Sequence, residues 1–125
     1  MKRNWDTIRE ILIRLEEKAD EDYALRLSNF PKERSSEISY HVELLIEAGL
    51  IHGEMSKTIG REVHDFIITR LTWQGHELLD AIKSDTIWNK TKESFISKGL
   101  SMSFDLVKSV AVKIASDYLK INISG

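Results

Sequence analysis

Cysteine is absent from the 125 residues, so disulfides, zinc–thiolate ribbons and thiol catalysis are all excluded. Only one proline and six glycines are present, and no repeat or low-complexity tract interrupts the chain. No stretch approaches the roughly 20 consecutive apolar residues that a membrane-spanning helix needs. The opening "MKRNWDTIREILIRLEE" carries charge throughout and lacks the apolar centre of a signal peptide. The expectation is a cytoplasmic protein with no membrane partner. An excess of positive charge is also missing: the formal net charge is −2. A nucleic-acid binder usually shows a basic footprint, so the overall charge counts mildly against that class.

What is present is an ordinary globular composition, 42% hydrophobic and 30% charged, in a chain long enough to bury a core without staples. The charge is unevenly divided. Residues 1–83 hold 12 Lys and Arg against 16 Asp and Glu, whereas residues 84–125 hold 6 Lys against 4 acids.

Hydrophobic spacing sets the element order. Trp5, Ile8, Leu12, Leu15 and Ala19 predict a helix over about 4–18, with Asn4 as its N-cap. Tyr23, Leu25 and Leu27 alternate and predict a short strand that Pro31 ends. Ile38, Val42 and Leu45 share a face of a helix over about 35–48, capped by Ser35 or Ser36 and closed by Gly49, with Leu50 as its hydrophobic follower. "LIHGEM" and "EVHDFIITRLT" read as two strands joined by "SKTIGR". Thr72 then caps a helix in which Gly75, Leu78, Leu79 and Ile82 share a face. Ile87, Trp88, Thr91 and Phe95 continue at helical spacing to Gly99, and Ser84 leaves open whether 72–98 is one helix or two. A last helix over about 103–121 shows a stripe of Leu106, Val110, Ile114 and Tyr118, flanked by Val107, Ala111 and Ala115. The class is α+β, mainly α: helix, short strand, helix, β-hairpin, helix, then a helical extension. The expected division is 1–83 as one domain and 84–125 as an extension that packs on it or forms a dimer interface.

"ISYHVELLIEAGLI" resembles the "vSrHLkxLxeaGLv" recognition-helix pattern of winged-helix regulators such as the arsenic-repressor and multiple-antibiotic-resistance groups. The matching positions are Ser39, His41, Val42, Leu45, Glu47, Ala48, Gly49 and Leu50. "RLTWQGHELLDAI" is similar to the "LTxxGxxLL" that leaves the wing in the same superfamily. A closer resemblance is to a bacterial and prophage-associated family, the domain of unknown function 2513. That family shares a "MKRxxDLIREIL"-like first helix, "EIxYHxxLLxEAGLI" and "RLTWQGHExLDAIxxDTxWNKTKE". The resemblance implies a winged-helix fold and leaves the activity open.

Two partner classes then compete. Double-stranded DNA would be read by the 35–48 helix and the 51–71 wing, through Lys32, Arg34, Ser36, Ser39, Tyr40, Lys57 and Arg61, with Arg70 adding charge. A host or phage protein would instead meet the helix face bearing Glu43, Leu44 and Glu47. Carboxylates there repel phosphate, whose neutralisation supplies much of DNA affinity. Leu106, Val110, Ile114 and Tyr118 offer a second interaction stripe, suited to a homodimer. Of the histidines, His41 reads as packed and hydrogen-bonded, and His52 and His64 as a pair facing each other across the hairpin. His76, Glu77 and Asp80 imitate the His-Glu-x-x-His of zinc hydrolases. Glu77 points about 100° away from His76, however, and no third ligand has a motif of its own. His76–Asp80 is better read as a hydrogen-bonded pair one helical turn apart. No nucleophile elbow or glycine-rich phosphate loop is present. The expectation is a non-enzymatic binding module with no catalytic residues, no metal and no cofactor.

Overall fold

A computed structural model describes residues 1–18, 23–56 and 63–124, except for the side chains of 121–124. The protein is α+β and mainly helical. Among the described residues there are five α-helices and a small antiparallel sheet of three strands. It divides into two compact units, Met1–His76 and Glu77–Gly125.

In the first unit, α1 runs Trp5–Glu17. Its start follows the expected chemistry, since Asn4 Oδ1 accepts from the Asp6 and Thr7 amides at 2.9 and 3.3 Å. Trp5, Ile8, Ile11, Leu12 and Leu15 are buried on it, while Ala19 lies outside the described residues. The strand expected around 23–27 shortens to β1, Leu25–Arg26, and the chain then tightens into a 3-10 turn over Leu27–Asn29. The cause is local: Asn29 Oδ1 accepts from the Arg26 amide at 2.8 Å and curls the segment out of extended form.

A second 3-10 turn, Lys32–Arg34, leads into α2, Ser35–Glu47. Neither Ser35 nor Ser36 caps α2. Ser35 is already helical, and its hydroxyl donates back to the Lys32 carbonyl at 2.7 Å. The C-terminus behaves as expected. Gly49 turns left-handed at φ 71°, and the Gly49 and Leu50 amides reach the Ile46 and Leu45 carbonyls, both at 3.0 Å.

Strand β2, Ile51–Met55, pairs with β3, Phe66–Leu71, and β3 pairs with β1, giving the order β1-β3-β2. Leu25, Phe66, Ile68 and Leu71 are buried, and Phe30 meets Phe66 edge-on with ring centres 6.0 Å apart. β3 begins later than "EVHDFIITRLT" suggests, because Asp65 Oδ1 accepts from the Leu27 and Phe66 amides and stops the ladder there. His52 pairs with Arg70 across the sheet rather than with His64, which precedes β3.

Helix α3, Trp73–Ile82, starts as the sequence predicts. Thr72 Oγ1 accepts from the Gly75 amide at 3.0 Å and donates to the Gly49 carbonyl at 2.6 Å, tying the helix start to the end of α2. A Cβ on Gly75 would stand 2.0 Å from the Leu50 carbonyl oxygen, so only glycine permits this approach.

In the second unit the open question at Ser84 resolves to two helices. Ser84 caps α4, Asp85–Lys98, by accepting from the Ile87 amide at 3.3 Å. Helix α5, Phe104–Ser124, packs against α4. Its buried seam is Val107 and Ala111, which sequence spacing put on the flank, while Leu106 and Tyr118 are exposed and Val110 and Ile114 half-buried. The fully buried Ala111 explains the shift, because a small side chain lets the neighbouring helix come close.

Candidate functional site: the outward face of the second helix

Helix α2 is held in place by polar ties that occupy several of the groups expected to face a ligand. The Arg34 guanidinium reaches Glu10 Oε2 on α1 and Glu37 Oε2 on α2, both at 2.7 Å, and its Nε donates to Glu37 Oε1 at 3.2 Å. Thr7 Oγ1 donates to Glu37 Oε2 at 2.6 Å. Arg34, first of all, and then the Thr7 hydroxyl hold the Glu37 carboxyl down to about 2, from 4.5. The same bonds raise the Arg34 pKa further, so the guanidinium is charged and its charge is met by two carboxylates of the same unit. Arg34 therefore does not stand free to neutralise a phosphate.

His41 is the second tie. It is almost wholly buried, with Nδ1 2.7 Å from the Glu37 carbonyl and Nε2 2.8 Å from the Asn4 amide. A carbonyl can only accept and an amide N–H can only donate, so Nδ1 carries the proton and Nε2 accepts. Both ring nitrogens are consumed, which leaves no lone pair for a metal.

Ser39 points inward as well. It is buried, and its hydroxyl donates to the His64 carbonyl at 2.7 Å while lying 3.3 Å from the His64 amide. It fastens α2 to the segment before β3 and does not belong to the outward face. Tyr40 is half-buried, edge-on to the His41 ring at 5.4 Å. Lys57 and Arg61 lie outside the described residues.

What reaches solvent along α2 and the turn before it is Lys32, Glu33, Ser36, Glu43 and Glu47, with Tyr40 and Leu44 half-exposed between them. One cation stands against three carboxylates. Next to the end of α2, Trp73 opens α3 and is 78% exposed, an unusual state for so large an aromatic. Sequence reasoning found Glu43, Leu44 and Glu47 but missed the clamp around Arg34. The i, i+3 spacing of Arg34 and Glu37 carried half of that signal; Glu10, from another helix, had none.

The metal-like string does not assemble. His76 Nδ1 lies 3.8 Å from Glu16 Oε2 on α1, an ion pair when the ring is protonated, and this replaces the expected pairing with Asp80. Among the described residues, no three His, Cys, Asp or Glu side chains gather closely enough to hold a metal ion. No described helix is long and apolar enough to cross a membrane.

A family model described as "Hypothetical protein (DUF2513)" matches residues 2–101. The chain belongs to this family. The match runs from α1 through α4 and stops short of α5. A Haemophilus influenzae protein, described as an uncharacterized protein, is 44% identical over 119 residues, covering 95% of this chain and 99% of its own length. No solved structure matches.

Proposed function

We infer that Met1–His76 is a non-enzymatic winged-helix binding module whose α2 face contacts a protein. In this reading α2 is the recognition helix and β2–β3 the wing. The element order supports it, as does the pairing of the short strand before α2 with the returning strand β3. The observation that carries the choice of partner is the acidic surface of α2. With Arg34 committed to Glu10 and Glu37, and Ser39 turned inward, the face shows Glu33, Glu43 and Glu47 against Lys32. Three carboxylates facing a duplex would repel phosphate, whereas they complement a basic protein surface. The exposed Trp73, next to the Thr72 that bonds the Gly49 carbonyl past the end of α2, supplies the kind of aromatic anchor on which protein contacts concentrate their energy.

Double-stranded DNA is the competing partner. It rests on the exposed Lys32 and Ser36, together with Lys57 and Arg61, which lie outside the described residues. Fluorescence anisotropy on a random-sequence duplex at low salt separates the two readings. The native protein is expected to show no association, and the double substitution Glu43→Lys/Glu47→Lys to create it. Tight, steeply salt-dependent binding by the native chain would overturn the protein-contact reading. A photo-crosslinker placed at Glu43 is expected to capture one defined protein, and Trp73→Ala to abolish that capture.

A further inference from the structure

Helices α4 and α5 enclose a groove of about 360 Å³ that belongs entirely to the second unit. Its floor is apolar: Phe95 from α4, Leu100 from the connection, and Leu106, Val110 and Ile114 from α5. Lys98 on α4 and Lys113 on α5 stand at its margins, one on each helix, and both are exposed, Lys113 with its ammonium 3.1 Å from Asp117 Oδ1 one turn along α5. Leu100 and Leu106 are 57% and 48% exposed, so this is an open trough and not a sealed cavity. Leaving such side chains in water is unfavourable by about 25 cal/mol per Å² of apolar surface, which gives a covering element a driving force.

The dimensions and charge select the occupant. From Leu106 to Ile114 the trough runs two helical turns, about 12 Å. Anchors at i, i+4 and i+7 of an incoming helix span about 10 Å, so one such set fits its length. Two antiparallel helices with an apolar cleft between them are the normal seat for a third. Lys98 favours an acidic residue on one flank of that helix, and an acid on the other flank would share Lys113 with Asp117. A second copy seated groove to groove fits poorly, because residues 84–125 carry 6 Lys against 4 acids and that pairing would bring lysine margins together. We propose that the α4–α5 groove receives an acidic amphipathic helix of a partner protein. It does not rest on the reading of α2, whose surface has the opposite charge.

Calorimetry on the full chain tests this with two synthetic peptides, each presenting Leu at i, i+4 and i+7. One is flanked by Glu on both sides, and the other carries Lys at every one of those flanking positions. The acidic peptide is expected to bind at least about tenfold more tightly than the basic one. Lys98→Glu/Lys113→Glu is expected to invert that preference, and circular dichroism checks that the helices survive the loss of Lys98 from the last turn of α4 and of the Lys113–Asp117 pair. Leu106→Asp, in the first turn of α5 where an acid suits the helix end, is expected to weaken both peptides. Equal binding of the two peptides, or a preference that survives the double reversal, overturns the proposal. So does self-association that Leu106→Asp abolishes, which would assign the groove to a second copy. Saturation by decanoate with neither peptide bound would assign it to a small amphiphile and would likewise overturn it.

Discussion

Helices α2 and α4 are nearly equal in length, at 13 and 14 residues, yet they are fixed by different physics. α2 begins with no side-chain cap and is held by residues far away in sequence: Glu10 and Thr7 through the Arg34–Glu37 pair, Asn4 through His41, and His64 through Ser39. α4 begins on Ser84, carries Asp85 in its first turn and Lys98 in its last, and ends at Gly99. Each of those four signals lies within the helix or next to it. A helix that must offer one face to a partner gains from long-range ties, because they set its rotation and not merely its existence. α4 has its start and its stop written in adjacent letters. The first unit should therefore respond to loss of a single distant contact, and the second only to sums of small local changes.

The largest expected effect tests the tightest of the distant contacts. Gly75→Ala places a methyl 2.0 Å from the Leu50 carbonyl oxygen, a backbone atom that cannot swing aside as a side chain could. We expect a loss of about 3 kcal/mol in urea unfolding, at the upper end for overpacking. A loss below about 1 kcal/mol would show that the α2–α3 junction yields easily, and would remove the contrast between the units.

His41→Leu comes next. It keeps the volume roughly constant but removes the ring partner of the Asn4 amide and of the Glu37 carbonyl in a partly buried setting. An unmade buried hydrogen bond costs about 1–3 kcal/mol, so a total near 2 kcal/mol is expected after the added apolar burial is offset. Amide hydrogen exchange at Asn4 should accelerate in parallel. If stability fell while the Asn4 amide stayed protected, the ring would be acting by packing alone.

The Arg34 clamp supplies the pH dependence. Glu37 has its pKa lowered to about 2 from 4.5, so the folded state binds that proton more weakly than the unfolded chain does. The resulting stability is fully present above pH 4.5 and is lost as pH falls from there towards about 2. With Arg34 and Glu37 side chains 30% and 35% exposed, solvent screening holds the contribution to roughly 1 kcal/mol. Arg34→Met should lower stability by about that amount at neutral pH and flatten the acid limb of the stability curve. An unchanged acid limb in the variant would mean that Glu37 is held by Thr7 and not by the guanidinium.

The same contrast decides what was legible in the sequence. Thr72, Gly75, Gly49 and Leu50 announce their roles because a cap, a close approach and a helix stop are each written in adjacent letters. The α2 face was misread where partners come from afar. Ser39 looked outward until His64, 25 residues on, claimed its hydroxyl, and Arg34 looked free until Glu10, 24 residues back, claimed its guanidinium. Periodicity gave α5 its helix but placed the seam one position off. The residues that pack deepest, Val107 and Ala111, are set by how close α4 can come, and no spacing rule encodes that distance. Glu43 and Glu47 remained legible because exposed charge on a helix needs no partner to be recognised.

Ser84→Ala gives the smallest effect and the sharpest test of the second unit. The hydroxyl accepts one bond, from the Ile87 amide at 3.3 Å, at a solvent-exposed helix start. Removing a serine cap typically costs about 1 kcal/mol, and the length of this bond favours the lower half of that range. The loss should be confined to α4: faster exchange at the amides of Ile87 and its neighbours, with the Asn4 and His64 amides of the first unit unchanged. Asp85 remains to satisfy part of the freed helix end, since an acid in the first turn interacts favourably with the dipole. Loss of both Ser84 and Asp85 should therefore exceed the sum of the single losses. Strict additivity would mean that the two residues do not substitute for each other at the helix start, and that the turn between α3 and α4 is fixed by something other than its local chemistry.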